Sequence, residues 1–148
     1  MHLKTIEGKW AGSFTYGHGY PLKQIGSSVP FTIDLKYKDG LIKGICIDDL
    51  VEELMLKPAT IEGSFENRSI LFIKRYSCNI TRDINNKLIA EHNEPAVGIQ
   101  YVGKLRRKFF SRKYFFKGEW DISGSFLDET GIARYYTAVG KWSMKKIE

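Results

Sequence analysis

Residues 31–48 read FTIDLKYKDGLIKGICID, and their alternation decides the fold class. Phe31, Ile33, Leu35 and Tyr37 fall on one side of an extended chain, with Thr32, Asp34, Lys36 and Lys38 on the other. Asp39-Gly40 follows, two residues that tolerate the positive φ of a tight hairpin turn. Leu41 to Asp48 then reads as the return strand of a half-buried antiparallel pair.

The same period extends in both directions. Upstream, Trp10, Gly12, Phe14 and Tyr16 share a face opposite Lys9, Ala11, Ser13 and Thr15, and Gly17–Pro30 reads as a Gly/Ser/Pro loop. Downstream, Leu50–Leu56 suits a short helical turn, and Ala59–Glu66 and Ser69–Ser77 form strands around an Asn67-Arg68 hairpin. Residues 79–97 are polar and aperiodic, a long lid-like loop. Strands return at Ile99–Arg107 and Tyr114–Ser123 around the basic turn Lys108–Lys113. A loop at Gly124–Gly131 leads to a last strand, Thr137–Lys145. Strands on short links, with no alternating long helices, exclude a doubly wound α/β fold. The expectation is an all-β chain: a single antiparallel up-and-down β-barrel of about eight strands. A two-sheet sandwich has nearly the same local pattern, so closure is an inference at this point. The 148 residues fit one domain, 1–148.

Six glycines, Gly12, Gly44, Gly63, Gly103, Gly118 and Gly140, sit mid-strand on the interior parity, several with an aromatic residue two positions away. Each costs about 0.5–1 kcal/mol relative to Ala, so their common parity needs a reason. Sharp coiling, with room for a large ring from the facing wall, supplies one. The repeated Gly8-Lys9-Trp10, Gly118-Glu119-Trp120 and Gly140-Lys141-Trp142 resemble the Gly-x-Trp strand starts of the calycin superfamily, which gathers lipocalins, fatty-acid-binding proteins and avidins. The chain is similar in particular to uncharacterised bacterial lipocalin-like proteins. There a Trp/Gly/aromatic first strand, a Gly-rich third strand ending in Asp (Gly44, Asp48) and an F-x-K-x-Y strand (Phe72, Lys74, Tyr76) recur. That resemblance implies a lipocalin-like barrel with a small-molecule site inside it or at its mouth. It supplies no biotin-site array and no paired cysteines of the secreted kind.

Composition narrows the rest. Cys46 and Cys78 make neither a zinc-ligand spacing nor a CxxC, and the start MHLKTIEGKW lacks the apolar run of a signal peptide. A reduced, cytoplasmic chain without a transmembrane segment is the expectation. Asp121, Asp128 and Glu129 lack metal-loop spacing, and His2, His18 and His92 lie far apart, so neither metal, cofactor nor catalytic residues are assigned. His18 and His92 fall in the two long loops and could approach a barrel mouth.

Lys74 stands between Phe72 and Tyr76 on the interior face, where an ammonium is costly unless paired or wet. It serves as an anchor for a ligand's carboxylate or phosphate, or as the partner of Asp48 or Glu62, or the parity slips there and it faces solvent. Asp48 and Asp49 point to opposite faces, so a turn or helix cap suits them better than joint acid–base work. The candidate ligand-binding set is Lys74, Tyr76, Tyr37, Tyr101, Tyr16, Trp10 and Trp120, for a small, partly apolar and anionic molecule. Two other readings stand beside it: a filled barrel acting as an interaction module, and a cofactor-free enzyme at the mouth.

Residues 1–99 carry 12 basic and 12 acidic side chains, and residues 100–148 carry 11 and 5, so the net +6 comes from the C-terminal third. Arg106, Arg107, Lys108, Arg112 and Lys113, with Phe109 and Phe110 among them, form a surface-contact candidate for a protein or an anionic surface. Nucleic acid is disfavoured, because no aromatic RNA-binding motif or recognition helix accompanies the cluster. The plainer alternative is that Phe109 and Phe110 simply tuck under the barrel rim.

Overall fold

The Asp39-Gly40 turn forms as expected, with φ of 51° and 82°, and it joins β2 (Ser28–Lys38) to β3 (Leu41–Asp48). Across it Tyr37 pairs with Ile42 and Leu35 with Gly44. In the computed structural model, residues 6–85, 87–110, 113–127 and 129–147 are described. Arg112, His2 and Asp128 therefore lie outside the described residues.

Eight strands close into one antiparallel barrel in the order β1-β10-β9-β8-β5-β4-β3-β2. Besides β2 and β3 these are β1 (Gly8–Tyr16), β4 (Ala59–Glu66), β5 (Ser69–Arg75), β8 (Ile99–Arg107), β9 (Tyr114–Leu127) and β10 (Ala133–Lys146). β1 pairs with both β2 and β10, which shuts the ring and rules out the open sandwich. The topology is consistent with a lipocalin-like up-and-down barrel. A short helix α1 (Asp49–Glu53) follows β3, and a two-stranded sheet, β6 (Asn79–Arg82) with β7 (Leu88–Glu91), lies outside the barrel.

Three expected segments change. The region 79–97 holds the β6–β7 hairpin instead of an unstructured loop; four-residue strands are too short to show a period. The loop expected at Gly124–Gly131 is mostly strand, because β9 and β10 stay paired from Ile122–Ala138 out to Leu127–Ala133 as a ribbon beyond the barrel. The first loop is shorter than Gly17–Pro30, since β2 begins at Ser28.

Inward positions fill the core. Trp10, Phe65, Phe72, Phe116 and Trp142 are all buried, with Trp10 and Phe116 at 4.9 Å between ring centres and Phe65 and Phe116 at 5.8 Å. Two of the six glycines, Gly103 and Gly140, make room for rings, those of Trp142 and Trp120 on nearby strands, and at the other four an added Cβ would meet the adjoining strand, mostly its backbone. β9 and β10 pair Gly118 with Trp142 and Trp120 with Gly140. Each indole therefore lies across the neighbour's glycine and reaches one strand further. The Trp120 Nε1–H donates to the Thr15 carbonyl on β1 at 3.0 Å, and the Trp142 Nε1–H donates to the Val102 carbonyl on β8 at 3.0 Å. A Cβ at Gly118 would fall on the Val102 carbonyl oxygen, and one at Gly140 on the Trp120 ring. The two Gly-x-Trp motifs thus form a reciprocal clasp that ties four consecutive strands together.

Candidate functional site

Antiparallel order sends the ends of β1, β3, β5 and β9 and the starts of β2, β4, β8 and β10 to one end of the barrel. This end carries the longer connections: residues 17–27, α1 with its following turn, the β6–β7 segment and the β9–β10 ribbon. The opposite end has the tight turns at 39–40 and 67–68 and the 108–113 hairpin.

Lys74 is buried near the open end, and its Nζ donates to Asp48 Oδ2 at 2.6 Å. The Tyr76 hydroxyl donates to the same oxygen at 2.6 Å, and the Val51 N–H donates to Oδ1 at 2.9 Å. Asp48 thereby caps α1 while holding Lys74, and Glu62, the other candidate partner, is exposed on the outer face. The Lys74 ammonium also lies 4.7 Å from the Tyr76 ring centre, 4.8 Å from Phe14 and 5.9 Å from Tyr101. Burial alone would raise the Asp48 carboxyl. The charge and hydrogen bond of Lys74, with the bonds from Tyr76 and Val51, overcome this and hold it below its ordinary value. Burial opposes the Lys74 charge as well, yet the tyrosines, Cys46 and Asp48 around it raise its pKa well above the ordinary lysine value.

Above this cluster opens a cavity of about 640 Å³. Phe14, Tyr16, Tyr76, Tyr101, Trp120 and Ile122 come from the barrel wall, Tyr20 and Gln24 from the first loop, and Ile80, Arg82 and Leu88 from the β6–β7 hairpin. Arg82 lies within hydrogen-bonding and charge reach of Tyr16, which lowers the Tyr16 pKa, though burial raises it more. Burial pushes the Tyr20 hydroxyl up to about 12 and lifts Tyr76 and Tyr101 as well. These four hydroxyls are neutral at physiological pH and act as hydrogen-bond donors and acceptors, not as bases.

The expected ligand set divides by height in the barrel. Tyr16, Tyr76, Tyr101 and Trp120 line the cavity together. Lys74 does not line it: its ammonium lies behind Phe14, Tyr76 and Tyr101, engaged by Asp48. Trp10 and Tyr37 share the inward parity but sit toward the closed end and do not line the cavity, Trp10 against Phe116 and Tyr37 against Phe65 at 6.4 Å. His18 and His92 are exposed and outside the cavity lining. Sequence reasoning missed Tyr20, Arg82 and Leu88, which arrive on connections without a period. Their only sequence signal is a tyrosine in a glycine-rich loop and an arginine beside Asp83 in the polar lid-like segment.

Arg106, Arg107, Lys108 and Lys113 are exposed at the end opposite the cavity, and Phe109 and Phe110 stand in solvent instead of tucking under the rim. Among the described residues no helix is long and apolar enough to cross a membrane, and no group of three or more His, Cys, Asp or Glu side chains could hold a metal ion. Compared with protein-family models and with curated proteins, the chain matches none.

Proposed function

We propose that this chain is a lipocalin-like binding protein that takes a small, partly apolar, anionic molecule into the cavity at the open end. One observation carries the reading: the barrel is solid at one end and hollow at the other, and the hollow is walled by tyrosines and a tryptophan. Its volume of about 640 Å³ lies within the range of about 300–1,000 Å³ usual for small-molecule sites. Rings supply apolar contact area, and the Tyr16, Tyr20 and Tyr76 hydroxyls supply polar fixing points. The preference for an anion follows from charge: Lys23 and Arg82 line the cavity against a single acidic residue, Asp83. In this reading Lys74 is a positioning residue. Through Asp48 it fixes the Tyr76 hydroxyl, instead of meeting the ligand itself. Kinship with the calycins is part of the same proposal and rests on the barrel topology and the Gly-x-Trp motifs.

The test is native mass spectrometry of protein purified from its own host, with Trp120 emission, taken as the difference between wild type and a Trp120→Phe variant, as the solution readout. A retained small molecule, lost from an Arg82→Gln/Tyr16→Phe variant that still folds, is the expected result. Protein that is empty under several growth conditions, and whose Trp120 emission does not respond to anionic aromatic or acyl probes, would overturn it.

A further inference from the structure

The closed end carries a second surface. β8 and β9 meet there in a hairpin closed by the Lys108 N–H donating to the Lys113 carbonyl at 3.1 Å. At its tip Phe109 and Phe110 are 86% and 99% exposed, with ring centres 4.3 Å apart. Phe110 has a φ of 61°, a left-handed conformation that bulky side chains rarely adopt. A hairpin turn calls for positive φ, but it does not call for a large ring at that position in water, and such outliers gather at functional sites. Behind the rings the same end is strongly basic. Lys38, Arg68, Lys104, Arg106, Lys108 and Lys145 emerge there, all exposed, against Glu7, Asp39 and Glu66.

We infer that this end docks on an anionic lipid bilayer, with Phe109 and Phe110 entering the interface and the basic side chains lying at the level of the phosphates. The order of the layers favours this partner. A bilayer presents negative headgroups first and hydrocarbon beneath them, so rings at the tip with cations behind them match it in depth. A single-stranded nucleic acid calls for flat, open ring faces along a basic groove. Here the two rings meet at an interplanar angle of 69° on a convex tip, where neither forms such a platform. Docking by this end leaves the cavity mouth facing the aqueous phase, so the inference stands independently of the proposed ligand.

Sedimentation with phosphatidylcholine vesicles, with and without phosphatidylglycerol, tests the inference on the full chain. Wild-type protein is expected to pellet with the phosphatidylglycerol vesicles and to be released by high salt. The Phe109→Ala/Phe110→Ala variant, checked for an unchanged thermal midpoint, is expected to bind at least about tenfold more weakly. A Phe110→Trp variant is expected to shift its emission to the blue only on the anionic vesicles. Two results would each overturn the inference: wild-type protein left in the supernatant, whether or not it retards a single-stranded oligonucleotide in a parallel gel shift, or vesicle binding indifferent to the double substitution.

Discussion

The Asp48 carboxylate and the Lys74 ammonium meet at 2.6 Å, with both side chains closed off from solvent. A pair held this way stabilises little relative to a well-packed apolar pair, but either charge left alone in the interior is costly. Asp48→Asn and Lys74→Met are each expected to lose about 3–5 kcal/mol of unfolding free energy. The double variant should lose clearly less than the two losses combined, as read from urea denaturation of all four proteins. Simple additivity would show that the charges do not depend on each other.

The same cluster sets a pH profile. The folded chain holds the Asp48 pKa below its ordinary 3.8, so the pair's contribution is complete above that value and is lost as pH falls through the lower folded pKa. Lys74 is raised above its ordinary 10.5, and Tyr76 and Tyr101 above 10.0. These groups hold their protons more tightly when folded, so stability is complete below about pH 10 and falls as pH rises beyond it. Thermal melts are expected to be flat between these limits and to drop at both ends. In a Lys74→Met variant the acid limb should begin at higher pH, because burial then acts on Asp48 without its counter-charge.

The clasp between β9 and β10 predicts a sharp response to the smallest side-chain change. Gly118→Ala adds a methyl where the Val102 carbonyl and the Gly103 Cα already lie, and overpacking of this kind costs about 1–3 kcal/mol. Its near-ultraviolet circular dichroism should change as well, because a shift of the Val102 carbonyl disturbs the Trp142 indole that donates to it. A variant with wild-type stability and spectrum would remove the steric account of the Gly-x-Trp repeat.

Thiol chemistry gives an independent view of the interior. Burial pushes the Cys46 thiol up to about 11, despite the charge of Lys74 beside it. Cys78 is buried too. Cys46 is expected to react with an aromatic disulfide reagent only as fast as the chain opens, whereas Cys78 lines the cavity and is expected to be labelled first; both are modified at once in denaturant. Fast labelling of Cys46 in native protein would contradict its burial.

Much of this was legible before any coordinates. Strands at Leu41–Asp48, Ala59–Glu66 and Ile99–Arg107 follow from alternation, because one face of each meets the core and the other meets water. Parity also placed Lys74 inside, which alone demanded a partner. Depth was harder to read. Trp10 and Trp120 have the same parity, yet one plugs the closed end and the other lines the cavity, and only the pairing of all eight strands fixes their heights. Beyond the barrel parity falls silent: residues 133–137 of the ribbon have no interior to face, and all five are exposed.

The division of the barrel into a solid half and a hollow half separates two kinds of selection on one chain. Rings such as Phe116, Trp142 and Trp10 secure the closed half, where nearly every change in volume weakens folding. Tyr20, Arg82 and Leu88 reach the hollow half on connections outside the barrel ladder. Substitutions on those connections can change what the hollow accepts while the closed half keeps the fold. Under the proposed binding role, such a molecule can acquire a new ligand preference in a few steps without passing through an unfolded ancestor.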